Sequence, residues 1–191
     1  MHPVFIQAIG VVATILVLIS YQTKTSHTIV LLQCCAAALF AVHYYLLGAM
    51  AGCLIGMVAT VRNAVFSMAG RRRFAASYWW IPVFIGAGLG VYVLSFTVFG
   101  TEWNVKNALI ELLPFFGMSV QTVAMRLQNP QHVRVVNGAS IPFWSSYNII
   151  RGSIGGLCSD AVTVLSTTVG YLRYRKKQAK PKNEGPEKPV S

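Results

Sequence analysis

Charged residues are scarce in this sequence. Only 11% of its 191 residues are charged, and Asp and Glu together number 5, whereas 54% of the residues are hydrophobic. A soluble globular chain carries about 25% charged residues, so most of the surface of this protein does not face water. The composition therefore excludes a water-soluble domain and predicts an integral membrane protein.

Sequence patterns typical of catalysis and metal binding are also lacking. The four cysteines lie in apolar runs without CxxC spacing, and the four histidines are scattered. We find no nucleophile elbow and no phosphate-binding loop. We therefore expect no enzymatic activity, no cofactor and no metal. No basic segment precedes the first apolar run, which is predicted to be a membrane span rather than a cleaved signal peptide.

The charges that are present are mostly basic, with 16 Lys and Arg residues and a net charge of +11. In a soluble protein this excess would suggest nucleic-acid binding, but here the basic residues cluster at the ends of apolar runs and in the C-terminal tail. Lys and Arg near the ends of spans favour the cytoplasmic side. This asymmetry predicts a periplasmic N-terminus and a cytoplasmic C-terminus, with the lipid bilayer as partner and no nucleic acid.

Seven apolar segments are long enough to be membrane helices, which need about 20 residues. The sixth is the most polar, and leaving it out would place the basic tail in the periplasm. The predicted spans are residues 4–21, 28–47, 50–69, 79–99, 107–125, 132–150 and 153–174.

Two parts of the sequence resemble each other at a constant shift of 104 residues. The segment 48–52 aligns with 152–156, and Phe40 aligns with Trp144. A shift that crosses four spans preserves orientation, so this is a parallel repeat about an axis along the membrane normal. The predicted domains are a three-helix bundle (1–70), a linker with the fourth helix (71–104), a second three-helix bundle (105–174) and a disordered basic tail (175–191).

Four stretches resemble the YgjV-type bacterial inner-membrane family: Val42–Gly48, Asn63–Ala64, Glu111–Pro114 and Gly152–Gly156. The resemblance covers nearly the whole chain apart from the tail. This family looks related to the SWEET, MtN3 and PQ-loop group, whose fold is two triple-helix bundles joined by a linker helix. The resemblance implies an all-α membrane protein of seven helices in a 3+1+3 arrangement. Members of the wider group include sugar and amino-acid transporters, and receptors, but the YgjV-type family implies no established substrate.

The wider group also suggests site residues. In SWEET proteins, an aromatic residue on the second helix of a bundle and an Asn on the third line the sugar site, and Trp144 and Asn63 are their counterparts. Asp160 occupies the corresponding position on the seventh helix, which argues against a neutral sugar. Tyr21-Gln22 also departs from the Pro-Gln pair that would end the first helix.

Three ionisable residues lie inside predicted spans: Arg62, Glu111 and Asp160. Such residues usually face a bundle interior or a water-filled cavity. A rise of 1.5 Å per residue allows them to converge with Trp144 in the outer half of the membrane. We expect Arg62 and Asp160 to face one cavity and to interact directly or through water. The predicted substrate-binding residues are Trp144, Asp160, Asn63, Arg62, Glu111 and Asn148.

Each of these polar residues has an alternative interpretation. Glu111 can lie at the membrane interface, Arg62 can reach the cytoplasmic headgroups, and a bridge between Arg62 and Asp160 can be purely structural. His43 and Tyr44, near the outer end of a span, fit an interfacial aromatic belt.

The leading functional hypothesis is a transporter for a small polar solute, which works by rocking two three-helix bundles around a site near Trp144 and Asp160. The alternative is a membrane receptor or assembly partner without a solute path, in which the polar residues only hold the bundles together. A homo-oligomer is compatible with both hypotheses.

Overall fold

The computed structural model describes residues 3–178, and the side chains of residues 3–169. Within this range the chain forms helices and no strands. The helices are α1 (Pro3–Gln22), α2 (Ser26–Leu46), α3 (Met50–Ser67), α4 (Arg73–Ala76), α5 (Trp80–Thr97), α6 (Val105–Ala124), α7 (Pro130–Gly138), α8 (Ile141–Arg151) and α9 (Ile154–Gln178).

Some of the helices have the length and composition of membrane spans, and the outer surface is apolar. Four of them, α1, α2, α3 and α5, are long and apolar enough to cross a membrane, and the described part of α9 holds a shorter apolar stretch, Ile154–Val169. Large apolar side chains such as Phe5, Leu31, Val93 and Leu165 are exposed on the outer faces of the helices. So much exposed apolar surface is unfavourable in water, and it fits contact with lipid.

Two tight turns connect α2 to α3 and α8 to α9. Gly48 (φ +71°) and Gly152 (φ +67°) adopt the left-handed conformation that glycine accepts without steric cost. In the first turn the Ala49 N–H donates to the Tyr44 carbonyl over 2.9 Å, and in the second the Ser153 N–H donates to the Asn148 carbonyl over 2.9 Å. Both turns thus have the hydrogen bond that satisfies a helix-terminal carbonyl.

The helices close into a ring. Going round it, α1 packs against α2, α2 against α3, α3 against α6, α6 against α7 and α8, and α9 against α7, α8 and α1. Helix α5 packs against α3 and α6. Between α1 and α9 the backbones approach closely, because a Cβ atom built on Gly10 would lie only 3.0 Å from the Gly155 Cα atom. Thr14 Oγ1 also donates to the Gly155 carbonyl over 2.8 Å. Small residues allow such close helix packing in membranes.

The prediction of an unbroken sixth helix over residues 132–150 is wrong. The segment forms two helices, α7 and α8, with a break at Ala139 and Ser140. Pro142 is the reason, because it lacks an N–H for the Gly138 carbonyl and its ring would clash with that carbonyl in a continuous helix. Proline is instead well placed in the first turn of α8.

Other helix ends also differ from expectation. The short helix α4 was not predicted, and it lies between the predicted third and fourth spans. Helix α9 continues to Gln178, four residues beyond the predicted end at residue 174. The predicted disordered tail therefore begins inside α9, and residues 179–191 lie outside the described part of the chain.

Candidate functional site

A polar cavity lies inside the ring of helices. Every helix of the ring contributes to its wall. The polar and charged residues of the wall include Tyr21, Gln33, Tyr44, Arg62, Asn63, Gln121, Asn137, Ser140, Asn148, Asp160 and Thr163.

A chain of hydrogen bonds crosses the cavity from α2 to α9. Tyr44 Oη donates to Asn148 Oδ1 over 2.7 Å, and Asn148 Nδ2 donates to Asp160 Oδ2 over 3.0 Å. Ser145 Oγ donates to the same carboxylate oxygen over 2.9 Å. Asp160 Oδ1 accepts no hydrogen bond from the described residues. One oxygen is thus fixed by the protein, while the other is left for water or a solute.

Aromatic rings form the neighbouring part of the wall. The Tyr44 ring stacks on Trp144 with centroids 6.1 Å apart and planes at 15°, and on Phe40 at 6.1 Å and 28°. The Trp144 indole lies against Gly117 of α6, where a Cβ atom would come within 2.6 Å of the indole nitrogen. That buried nitrogen has no hydrogen-bond partner among the described residues. Glycine at position 117 therefore allows the tryptophan to occupy this place.

Arg62 lies on the α3 side of the cavity and is almost fully buried, with 1% of its surface exposed. Its Nη1 donates to the Met118 carbonyl over 3.1 Å and to Thr122 Oγ1 over 3.0 Å, and its Nε donates to Asn63 Oδ1 over 3.1 Å. All three acceptors are uncharged. In the part of the chain whose side chains are described, no carboxylate forms an ion pair with Arg62.

Five of the six residues predicted to bind substrate line this one cavity: Trp144, Asp160, Asn63, Arg62 and Asn148. The expectation that Glu111 converges on the same cavity is wrong, because Glu111 instead forms an ion pair with Arg151. Arg62 and Asp160 share the cavity, but within the described side chains they do not pair with each other directly. An interaction through water stays a prediction.

The interpretation of His43 and Tyr44 as interfacial belt residues is also wrong. Both are buried, at 0% and 3% exposure. The His43 Nδ1–H donates to the Ile6 carbonyl over 2.9 Å, and its Nε2 lies 2.8 Å from Ser153 Oγ, so His43 connects α2 with α1 and with the turn before α9. Their position near the end of a predicted span fits an interfacial belt and a buried contact equally well.

Two further wall residues, Gln33 and Asn137, were not among the predicted substrate-binding residues. Both line the cavity, and they are 104 residues apart, the same shift that relates Phe40 to Trp144. Asn137 Nδ2 donates to Tyr21 Oη over 2.6 Å, while its buried Oδ1 has no partner within the described residues. A polar residue at equivalent positions of the predicted repeat was the signal that could have identified this pair.

Metal ligation finds no support in the described side chains, where no three His, Cys, Asp or Glu residues lie close enough together to hold an ion.

The apolar outer surface, the long helices and the polar interior define a multi-pass helical membrane protein with an internal cavity. The chain belongs to the Imp-YgjV family of bacterial inner membrane proteins, whose family model matches residues 4–178. Searches of curated proteins and of solved structures found no match.

Proposed function

We propose that this protein is a transporter that moves a small polar solute across the bacterial inner membrane. The observation that carries the proposal is the polar cavity inside a ring of apolar helices. Buried polar and charged groups are costly in a membrane protein and usually mark a path for ions or solutes. A protein that needed only a stable helix bundle would gain more from apolar packing at these positions.

The mechanism we propose is a rocking of two bundles, with α5 as linker. One bundle is formed by α1–α3 and the other by α6–α9, in which α7 and α8 together take the place of one helix. The pattern of packing supports this division, because α1 contacts α9 and α3 contacts α6 in the two equivalent junctions that a parallel repeat requires. Glycine with positive φ at both position 48 and position 152 gives the bundles matching turns.

The cavity wall supports the same repeat. Many of its residues occur in pairs that differ by 104 in sequence number, so that both bundles offer equivalent positions to the cavity. These pairs are Val17 and Gln121, Gln33 and Asn137, Ala36 and Ser140, Ala37 and Ile141, Phe40 and Trp144, Tyr44 and Asn148, Gly56 and Asp160, and Ala59 and Thr163. A solute held between two equivalent walls is the arrangement that alternating access needs.

Uptake into reconstituted vesicles tests the proposal. A panel of small neutral, anionic, cationic and zwitterionic solutes is offered to vesicles that contain the wild-type protein or one of two matched variants. Ala37→Phe fills the cavity, whereas Ala38→Phe places the same side chain next to it on the exposed face of α2. We expect at least one solute to enter with wild type and Ala38→Phe, and to be blocked by Ala37→Phe.

Two results would reject transport. If no solute enters wild-type vesicles above the level of empty vesicles, or if both phenylalanine variants reduce uptake equally, the cavity is not a solute path. Binding of a solute without uptake would then favour the alternative of a receptor.

A further inference from the structure

The cavity contains two opposite charges that do not neutralise each other. Arg62 is held by uncharged acceptors on α3 and α6, and Asp160 by uncharged donors on α8. In the described side chains the ion pair is the one between Glu111 and Arg151, and neither of these residues lines the cavity. The protein therefore keeps a cation and a carboxylate on the wall of one cavity without a counter-ion for either.

Hydrogen bonds fix both side chains in place but leave one nitrogen of Arg62 and one oxygen of Asp160 without a partner among the described residues. Arg62 uses Nε and Nη1 for its three bonds, and its Nη2 donates to no described residue. Asp160 uses only Oδ2. Burial of a charge without a partner of opposite sign is costly, and attraction between opposite charges is much stronger in a medium of low dielectric constant than in water. Arg62 is therefore suited to bind a negatively charged group, and Asp160 a positively charged one.

We propose that the solute is a small zwitterion, whose acidic group binds to Arg62 and whose ammonium group binds to Asp160. This inference rests on the proposed transport function and adds the class of substrate. A solute with a single charge would satisfy one of the two residues and leave the other without a partner. A zwitterion satisfies both and adds no net charge to the cavity.

The aromatic wall suits the remainder of such a solute. The Trp144 indole stacks on Tyr44, which donates to Asn148, and Asn148 donates to Asp160, so the indole and the predicted ammonium site belong to one connected part of the wall. Aromatic faces attract ammonium groups and cover short carbon chains. Other polar residues of the wall, such as Gln33 and Asn137, can bind further groups.

Thermal unfolding of the purified full-length protein in detergent tests the class of solute. The probes are glycine, 3-aminopropanoate, 4-aminobutanoate and 6-aminohexanoate, which place the two charges at increasing distances. Butanoate, butylamine, an equimolar mixture of the two, and glucose serve as controls. We expect one amino acid to raise Tm by about 5–10 °C at roughly 100 times its Kd, and the controls to have little effect.

Charge variants then assign the two ends. In Arg62→Gln we expect butylamine to stabilise the protein as well as the preferred amino acid does, because the acidic group no longer gains a partner. In Asp160→Asn we expect butanoate to stabilise the protein as well as the preferred amino acid does, because the ammonium group no longer gains a partner. Arg62→Lys and Asp160→Glu keep the charges and should keep the preference for the zwitterion with weaker binding.

Several results would overturn the inference. These are a lack of stabilisation by every amino acid of the series, equal stabilisation by glucose or by a singly charged control, and a zwitterion preference that survives both charge-removing variants. The wild-type comparison remains decisive if a variant fails to fold. Uptake separates the two proposals: a transported neutral solute would reject the zwitterion alone, whereas a zwitterion that binds without entering vesicles would reject transport alone.

Discussion

Tyr44 Oη donates a 2.7 Å hydrogen bond to Asn148 Oδ1, and the two residues differ by 104 in sequence number. They occupy equivalent positions of the two proposed bundles, and each lies five residues before the end of its tight turn, at Ala49 and Ser153. Residues that are equivalent under a two-fold repeat can bond to each other only near its axis. Under the proposed repeat, this bond therefore lies close to the axis that would relate the two bundles.

The Tyr44–Asn148 bond yields a first prediction. Tyr44→Phe keeps the ring stacked between Phe40 and Trp144 but removes the donor, and should lower the free energy of unfolding by about 1 kcal/mol. Asn148→Ala also removes the bond to Asp160 and should cost more. The double variant should cost less than the sum of the two, with a coupling of about 1 kcal/mol.

Denaturant unfolding in detergent micelles measures this cycle. Tyr45→Phe is the matched control, because Tyr45 is the next residue on α2 and is 60% exposed. It should change stability by less than about 0.5 kcal/mol. Additive effects of the Tyr44 and Asn148 substitutions would show that the bond contributes nothing to stability.

A second prediction concerns the place of Trp144. In Gly117→Ala the new Cβ atom would lie 2.6 Å from the indole nitrogen, so the indole must move away from α6 and disturb its stacking on Tyr44. We expect a loss of about 1–3 kcal/mol in stability and a reduced uptake of the transported solute. Gly90→Ala on α5 is the control, since a Cβ atom there meets no other atom, and it should be neutral or stabilising by up to about 1 kcal/mol. Equal effects of the two variants would reject the steric argument.

The two glycine turns give a third prediction. A side chain at Gly48 or Gly152 meets no neighbouring atom, so the cost of substitution is confined to the backbone, which is left-handed in both turns. Replacement by Ala should cost about 1–2 kcal/mol at either position, and replacement by Asn should cost less, because Asn accepts this conformation more readily. Thermal unfolding tests whether stability decreases in the order Gly, Asn, Ala at each of the two positions. A variant in which Ala is as stable as Gly would contradict the prediction.

The apolar helices and five residues of the cavity wall could be predicted from sequence, because both depend on local composition and on costly polar groups inside apolar runs. The break between α7 and α8 was missed although Pro142 was visible, since a membrane helix tolerates proline when neighbours satisfy the freed carbonyl. Pro114 illustrates that tolerance, because it lies within α6 without ending it. The error at Glu111 has a similar origin: depth along a helix is readable from sequence, but the direction in which a side chain points depends on tertiary packing.

Orientation in the membrane is a fourth prediction. The asymmetry of basic residues favours a periplasmic N-terminus, seven crossings and a cytoplasmic C-terminus. A reporter enzyme that is active only in the periplasm should therefore be silent when it is fused after Ser191. The same reporter inserted after Gly100, in the turn between α5 and α6, should be active and controls for expression. An active fusion at Ser191 would overturn both the number of crossings and the orientation.

The ion pair between Glu111 and Arg151 gives a fifth prediction, which follows from the unequal burial of its partners. The Glu111 side chain is 4% exposed and the Arg151 side chain is 32% exposed, and Arg151 also lies over the Tyr147 ring, 5.5 Å from its centroid. Arg151→Ala leaves a buried carboxylate without a counter-ion, and it should cost about 3 kcal/mol or more in stability. Glu111→Ala leaves a cation that can turn towards water or lipid headgroups, so it should cost less.

The double substitution of this pair sharpens the test. When both Glu111 and Arg151 are replaced by Ala, no buried charge remains, and the protein should be more stable than with Arg151→Ala alone. Glu111→Gln in the Arg151→Ala background should restore part of the stability for the same reason, with the side-chain volume kept. Uptake of the transported solute should survive the double substitution, because neither residue lines the cavity. Equal costs for the two single substitutions, or a double variant less stable than either, would show that burial of the carboxylate does not control the energetics of the pair.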